Sequence, residues 1–341
     1  MGAQSYKAAI FRGAGSVDLI TMPYPTCGDD DVIVRNLLTG VCGSDLSAYR
    51  HGGDDHMIWK DHEFGHESVS EIVEIGRNVK DLKLGDHVFP NQGQALRDMN
   101  RMSTVGGFSE FIRIPKCEVD YSVIKIDADI PLKSAVLFEP FLVGARGALN
   151  LNPGPDKTAI VFGAGIIGIC TAIMLQWYGC PKVMIVDISD FRLENAGRMG
   201  LITCNSKSEN LEARAFQEFG RHVDFFGERC AADLYVDAIG IKVAIDYFTQ
   251  LGRREASLAI MGVHHEPVSF NLIDICYRNW HITGCGTAPI EIAKVDILNM
   301  MKSNKYDLPS LVTHEYKVNQ IEEALIVGGR VDETQKVCIS F

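Results

Sequence analysis

The spacing of apolar positions changes character along the chain. Up to residue 150 the apolar runs are short and stand between Gly, Pro and Asp: Val32–Arg35, Val69–Ile75, His87–Phe89, Phe108–Ile114 and Val123–Ile126. Runs of this length bounded by turn formers predict strands, and hence an irregular, mostly β region. Asn152-Pro153-Gly154-Pro155-Asp156 is a strong turn cluster, and beyond it the pattern alternates. Thr158–Phe162 is continuously apolar, as a strand buried on both faces requires. Ile166–Tyr178 is apolar over a helical length and stops at Gly179, and Lys182–Val186 predicts a second buried strand. Ser189 or Asp190 caps a helix that ends near Gly200. Strands at Leu234–Ala238 and Ser257–Gly262 flank a helix at Val243–Leu251. This β-α-β rhythm predicts an α/β architecture with a doubly wound parallel sheet. Helices follow at Ala288–Ser303 and Ile321–Val327. Val337–Phe341 predicts a terminal strand, best used by returning to the first region.

Composition narrows the functional classes. The chain has 341 residues, 46% of them hydrophobic, which is material for two domains. Its 33 basic and 44 acidic residues leave a net charge of −11, with a sequence pI near 5.4. Such a chain suits neither nucleic acid nor an anionic membrane, and no basic tract offsets the balance. No apolar run is long enough to span a bilayer. The N-terminus lacks a signal-peptide pattern, and Tyr6 stands where a myristoylation site carries Ser or Thr. A cytoplasmic protein without nucleic-acid or membrane partners is the expectation. The ten cysteines are scattered, with no Cys-x-x-Cys pair, so no disulfide framework is expected.

The loop after the first buried strand reads Gly163-Ala164-Gly165-Ile166-Ile167-Gly168. Between strand and helix, this pattern is a dinucleotide fingerprint. Gly163 permits the tight turn, Gly165 the approach of a pyrophosphate, and Gly168 close packing of helix on strand. The N–H groups around Ile167, at the helix N-terminus, face the phosphates. Asp187 ends the next strand, where a carboxylate accepts the adenosine ribose hydroxyls and repels a 2′-phosphate. NAD is therefore the expected cofactor. Arg192 either lies over the adenine or is surface charge.

Two segments of the first region hold metal-competent side chains: Gly40-Val41-Cys42-Gly43-Ser44-Asp45 and Gly65-His66-Glu67. Taken alone, Cys42 reads as a buried thiol and His66 as a core histidine. With Gly85–Val88, Gly107–Phe111, Phe138-Glu139-Pro140-Phe141 and the dinucleotide loop, in this order, the chain resembles the zinc-dependent medium-chain alcohol dehydrogenase superfamily over nearly its whole length. The resemblance implies a GroES-like, mostly β catalytic domain at 1–150 and 285–341, with a Rossmann domain at 151–284. It implies Cys42 and His66 as zinc ligands and Glu67 as a carboxylate that binds the metal or swings off it. It also implies Glu139 as a further ligand, direct or through water, as in the sorbitol and polyol dehydrogenase branch. Ser44 matches the hydroxyl that relays the substrate proton, and Asp45 a carboxylate that orients the histidine ligand. Met261-Gly262-Val263 and Gly286-Thr287 resemble loops that meet the nicotinamide carboxamide; alone they read as strand-end turns.

The departures are informative. The stretch from Pro90 to Gly107 has no cysteine, where many relatives hold a structural zinc with four, so one zinc per chain is expected. Ser47 stands where relatives often carry an outer-relay histidine, leaving water or His51 for that step. Ser70 replaces the glycine usual after the Gly-His-Glu motif. His264 and His265 fall in no ligand motif and read as surface or cleft-rim residues. Together these features imply an NAD- and zinc-dependent dehydrogenase of a polyol or other secondary alcohol, as a homodimer or homotetramer. The alternatives are a phosphorylated polyol or amino alcohol on the same scaffold, a zinc-free NAD(P)H reductase, and a non-catalytic NAD-binding protein.

Overall fold

The computed structural model describes residues 5–95, 102–286 and 290–341. The chain opens with the hairpin β1 (Ser5–Gly13) and β2 (Ser16–Pro23). Strand periodicity sends Tyr6, Ala8 and Ile10 into one cluster and Ala9 and Phe11 into another, so β1 is buried on both faces. Next come β3 (Val32–Gly40), α1 (Gly43–His51), β4 (His62–Glu63), β5 (Glu67–Ile75), β6 (His87–Pro90), α2 (Gln92–Ala95), β7 (Phe111–Ile114), β8 (Val123–Ile126), α3 (Leu132–Ala135) and α4 (Phe138–Asn150). The alternating part follows: β9 (Ala159–Phe162), α5 (Ile166–Trp177), β10 (Val183–Asp187), α6 (Asp190–Arg198), β11 (Ile202–Asn205), α7 (Leu211–Phe219), β12 (Arg221–Asp224), β13 (Gly227–Cys230), β14 (Leu234–Asp237), α8 (Lys242–Leu251), β15 (Ser257–Ile260), α9 (Leu272–Arg278) and β16 (His281–Gly284). The chain ends with α10 (Ile290–Lys302), β17 (Val312–Lys317), α11 (Ile321–Gly328) and β18 (Lys336–Ser340).

These elements form two units. One is the chain up to Phe138 with Leu308–Phe341; the other is Glu139–Asp307. The first is GroES-like and mostly β. Its larger sheet runs β17-β18-β3-β5-β6-β8, with β7 also pairing β3, and its smaller sheet runs β2-β1-β4. β18 lies antiparallel to β3 with Cys338 opposite Gly40, and β3 lies antiparallel to β5 with Gly40 opposite Glu67. The terminal strand thus does return to the first unit's sheet.

The second unit holds a six-stranded parallel sheet of Rossmann order, β11-β10-β9-β14-β15-β16. All four residues of β9 are buried, as a central parallel strand demands. α5 buries Gly168 through Leu175 without a break, so it is covered on all sides rather than amphipathic. Between β9 and β14 the strand order reverses, which opens a crevice at the carboxyl ends of these strands.

The local differences from expectation have physical causes. β3 extends to Gly40 through polar residues because they are satisfied inside: the Asn36 amide donates to the Gly107 and Ser109 carbonyls (3.1 and 2.6 Å) and the Thr39 hydroxyl to the Gly107 carbonyl (2.7 Å). The expected strand at Phe108–Ile114 begins only at Phe111, because the Phe108 carbonyl accepts from Ala9 N–H and its N–H donates to Phe64, outside the ladder of β7. The ten cysteines are free thiols. No helix of the described residues is long and apolar enough to cross a membrane.

Candidate functional site

The first unit carries a compact ligand cluster. Cys42 follows β3 and sits at the N-cap of α1, where its N–H donates to the Asp45 carboxylate at 2.9 Å. That bond turns the chain sharply from strand to helix and holds the thiol at the turn. His66 lies between β4 and β5 and Glu67 opens β5, and both are buried. One ligand atom from each of Cys42, His66 and Glu67 lies within 4.8 Å of the others. Zinc binds thiolate, imidazole and carboxylate at about 2.0–2.3 Å, so donors this close fit around a single ion. Buried Oε1 of Glu67 and Oδ1 of Asp45 have no hydrogen-bond partner among the described residues. A buried carboxylate oxygen left bare is costly unless a cation reaches it. The donor set and the bare oxygen of Glu67 both fit a resident divalent metal.

A buried lysine completes the cluster. Lys336, at the start of β18, contacts Oε2 of Glu67 and donates to the Val41 carbonyl at 2.9 Å. Burial alone would lower its pKa, but the Glu67 carboxylate and the Cys42 thiol outweigh burial, and the net shift is upward. Register makes the contact possible: a Cβ on Gly40 would lie 2.2 Å from Oε2 of Glu67 and 2.7 Å from Cε of Lys336. Burial pushes the Asp45 carboxyl up, while an imidazolium at His66 and the Cys42 N–H pull the other way. Ser44 sits partly exposed on the first turn of α1, two residues from Cys42. His51 is exposed at the other end of that helix.

The second unit carries the dinucleotide loop. Gly163 has a φ of 101°, and Gly165 caps α5. A Cβ on Gly168 would fall 1.8 Å from the Gly163 carbonyl oxygen, so only glycine lets the helix start here. Ile167 lies in the first turn of α5, whose N–H groups open toward the crevice. Asp187 ends β10 and accepts the N–H groups of Ala164 (2.6 Å), Ile188 (2.7 Å) and Ser189 (3.0 Å). It therefore braces the Gly163–Gly168 loop from the neighbouring strand. Nη1 of Arg192 approaches Gly165, since a Cβ there would lie 3.8 Å from it, which places the guanidinium beside that loop. Met261 follows β15 with its sulfur turned inward, accepting from the Thr171 hydroxyl at 3.4 Å. Val263 is exposed, and Gly262 packs on Gly240. Gly286 follows β16, and Thr287 lies outside the described residues. Glu139, 9% exposed, opens the second unit on the first turn of α4.

Two features escaped the sequence reading. Lys336 looks like ordinary surface charge at a strand end; its signal was a lysine beginning an otherwise buried terminal strand. The other is the pairing of His264 with buried Asp237, signalled only by an aspartate closing an apolar strand.

Comparison with known proteins supports the same assembly. Residues 28–126 match the alcohol dehydrogenase GroES-like domain family, and residues 167–298 match the zinc-binding dehydrogenase family. Sorbitol dehydrogenase of Bacillus subtilis is 25% identical, over 94% of this chain and 93% of that protein. Among solved structures, 2R,3R-butanediol dehydrogenase from Bacillus subtilis superposes with a TM-score of 0.84 at 20% identity, covering 99% of this chain and 100% of that one. Galactitol-1-phosphate dehydrogenase from Escherichia coli gives 0.81 at 21% identity, covering 98% and 100%.

Proposed function

This chain belongs to the zinc-type medium-chain dehydrogenases, and on that premise we propose that it oxidises a polyol or similar secondary alcohol to the ketone, reversibly, with NAD. Fold and metal triad make it a zinc-dependent, NAD-linked oxidoreductase of an alcohol or ketone. The observation that carries the reading is the convergence of Cys42, His66 and Glu67 within 4.8 Å. The polyol assignment draws on the Phe138-Glu139-Pro140 motif and on the similarity to a sorbitol dehydrogenase.

Cys42, His66 and Glu67 would hold the zinc, with Glu139 as a further ligand, direct or through water. When bound, the metal supplies a Lewis acid that makes an alcohol hydroxyl acidic near neutral pH. The dinucleotide supplies the hydride acceptor. The chain's own residues do the rest. The Ser44 hydroxyl takes the substrate proton and passes it outward, through water or His51, because Ser47 leaves the usual outer relay without a histidine. Gly163, Gly165, Gly168 and the N–H groups of the α5 first turn near Ile167 hold the pyrophosphate. Asp187 accepts the adenosine ribose hydroxyls and turns away a 2′-phosphate, Arg192 flanks the adenosine side, and the segments Met261-Gly262-Val263 and Gly286-Thr287 meet the carboxamide. By the same resemblance the enzyme works as a homodimer or homotetramer.

The test is a substrate screen. Zinc-loaded protein is given NAD or NADP with a panel of free polyols, their phosphate esters, amino alcohols and simple alcohols, and reduced cofactor is followed. Turnover of free polyols with NAD is the expected result. Preference for the phosphate esters would move the assignment to a phosphorylated substrate, and no turnover of any member would overturn it.

A further inference from the structure

At the carboxyl edge of the parallel sheet, Asp237 ties together two loops and one imidazole. It is the last residue of β14 and is fully buried. Its Oδ1 accepts the N–H groups of Ile239 and Gly240, both at 2.9 Å. Its carbonyl accepts the N–H groups of Met261 and Gly262, also at 2.9 Å. Its Oδ2 lies 2.6 Å from Nε2 of His264. One residue therefore fixes both the loop after β14 and the loop after β15. The two loops touch backbone to backbone, since a Cβ on Gly262 would fall 2.0 Å from the Gly240 nitrogen. The His264 side chain is only 17% exposed, and Asp237 is its one hydrogen-bond partner among the described residues.

Hydrogen-bond chemistry assigns the tautomer. A carboxylate accepts and never donates, so the proton of a neutral His264 ring sits on Nε2, and Nδ1 is left as an acceptor. Topology says what passes over this edge of the sheet. The loop after β9 receives the pyrophosphate, and Asp187 at the end of β10 receives the adenosine ribose, so the adenosine half lies on the β10 side of the switch point. The remaining half of a dinucleotide must run over the ends of β14 and β15, where Asp237 and His264 stand.

We infer that the Asp237–His264 pair is a binding element for the nicotinamide half of the cofactor. Asp237 is the positioning residue, and Nδ1 of His264 accepts a hydrogen bond from a ribose hydroxyl or the carboxamide N–H of that half. The inference rests on the dinucleotide reading of the loop after β9.

The test measures affinity rather than turnover. NADH binding is followed by fluorescence titration and ADP binding by calorimetry, on the full chain. ADP carries the adenosine and both phosphates and lacks everything beyond them. In His264→Ala, NADH binding weakens by about tenfold, the worth of one well-made hydrogen bond, while ADP changes by less than about twofold. His264→Gln keeps a donor for Asp237 and an outward acceptor, and restores NADH binding to within about threefold of the parent. Asp237→Asn is isosteric and is the sharper probe. Its oxygen still takes the two backbone N–H groups, so its amide must donate to Nε2, the ring proton moves to Nδ1, and the acceptor becomes a donor. NADH then weakens about as much as in His264→Ala where the partner is the carboxamide N–H, and by less where it is a ribose hydroxyl, which can accept as well as donate; ADP is unaffected in either case. Unchanged NADH binding in His264→Ala and Asp237→Asn would overturn the inference. So would equal weakening of NADH and ADP, which marks a structural clip for the whole sheet edge. A parent protein that binds ADP but not NADH would overturn both the inference and the dinucleotide reading beneath it.

Discussion

The ammonium of Lys336 and the carboxylate of Glu67 form an ion pair inside the ligand cluster, each side chain 1% exposed. The pair exists because β18 and β5 flank β3 on opposite sides at Gly40, the one residue of β3 whose lack of a side chain leaves room for both. Lys336 occupies one oxygen of Glu67 and leaves the other bare. It therefore competes with a metal for that carboxylate.

Removing the lysine alone should expose that competition. In Lys336→Met the metal-free protein loses about 3–5 kcal/mol, the usual cost of stranding one member of a buried pair. Zinc then supplies the missing positive charge, so the rise in melting temperature on adding zinc is larger in Lys336→Met than in the parent. Denaturation with and without a chelator measures both. An equal zinc-induced rise in the two proteins would show that Glu67 and the metal do not communicate.

Metal content gives a second test. Cys42, His66 and Glu67 form the one group of metal-competent side chains found among the described residues, and the stretch from Pro90 to Gly107 has no cysteine. Purified protein should carry one zinc per chain by elemental analysis. Cys42→Ala and His66→Ala should each lose it and abolish turnover, while remaining folded by circular dichroism. Two zinc ions per chain would show a second site that the cysteine count argues against.

The proposed preference for NAD assigns cofactor choice to Asp187. Its carboxylate accepts the N–H groups of Ala164, Ile188 and Ser189, which leaves one of its roughly four lone-pair sites at the end of β10 for a ribose hydroxyl. The parent should prefer NAD to NADP by kcat/KM. Asp187→Ser should shrink that preference by about tenfold or more, mostly through NAD, because both the ribose acceptor and the brace on Ala164 are lost. A preference that did not move would assign the choice to another group.

What the sequence disclosed follows from how local each constraint is. The glycines at 163, 165 and 168 and the acid at 187 were legible because one turn between strand and helix imposes all four. β9 and α5 were legible because burial on every side leaves an unbroken apolar run. The ligand cluster was visible only through resemblance, since Cys42 and Glu67 are brought together by the pairing of β3 with β5, which no window of sequence records. Lys336 went unread, and the Asp237 partner of His264 unseen, for the same reason: a lysine at a strand start and a histidine in a loop are usually solvated, and only the return of β18 buries the one and only the reach of Asp237 pairs the other. β3 was cut short at Arg35 because Asn36 and Thr39 are polar, although distant carbonyls satisfy both.

Acid should weaken the first unit through Asp86, at the turn into β6. Burial alone would raise this carboxyl, but the Lys125 ammonium at 2.9 Å and the Lys83 N–H at 3.0 Å outweigh burial and hold it below the ordinary carboxylate range. A group whose folded-state pKa is depressed contributes stability that is fully present above its unfolded value, about 3.9 for aspartate, and lost as pH falls through the folded value. Asp86→Asn should therefore cost about 1.5–3 kcal/mol at about pH 7, the range for hydrogen bonds to a charged group. The gap between parent and variant should narrow as the pH falls below about 4. Urea unfolding midpoints across that range read the difference, and Lys125→Met should reproduce most of it. A gap independent of pH would mean that Asp86 acts through shape alone, with its charge contributing nothing to the fold.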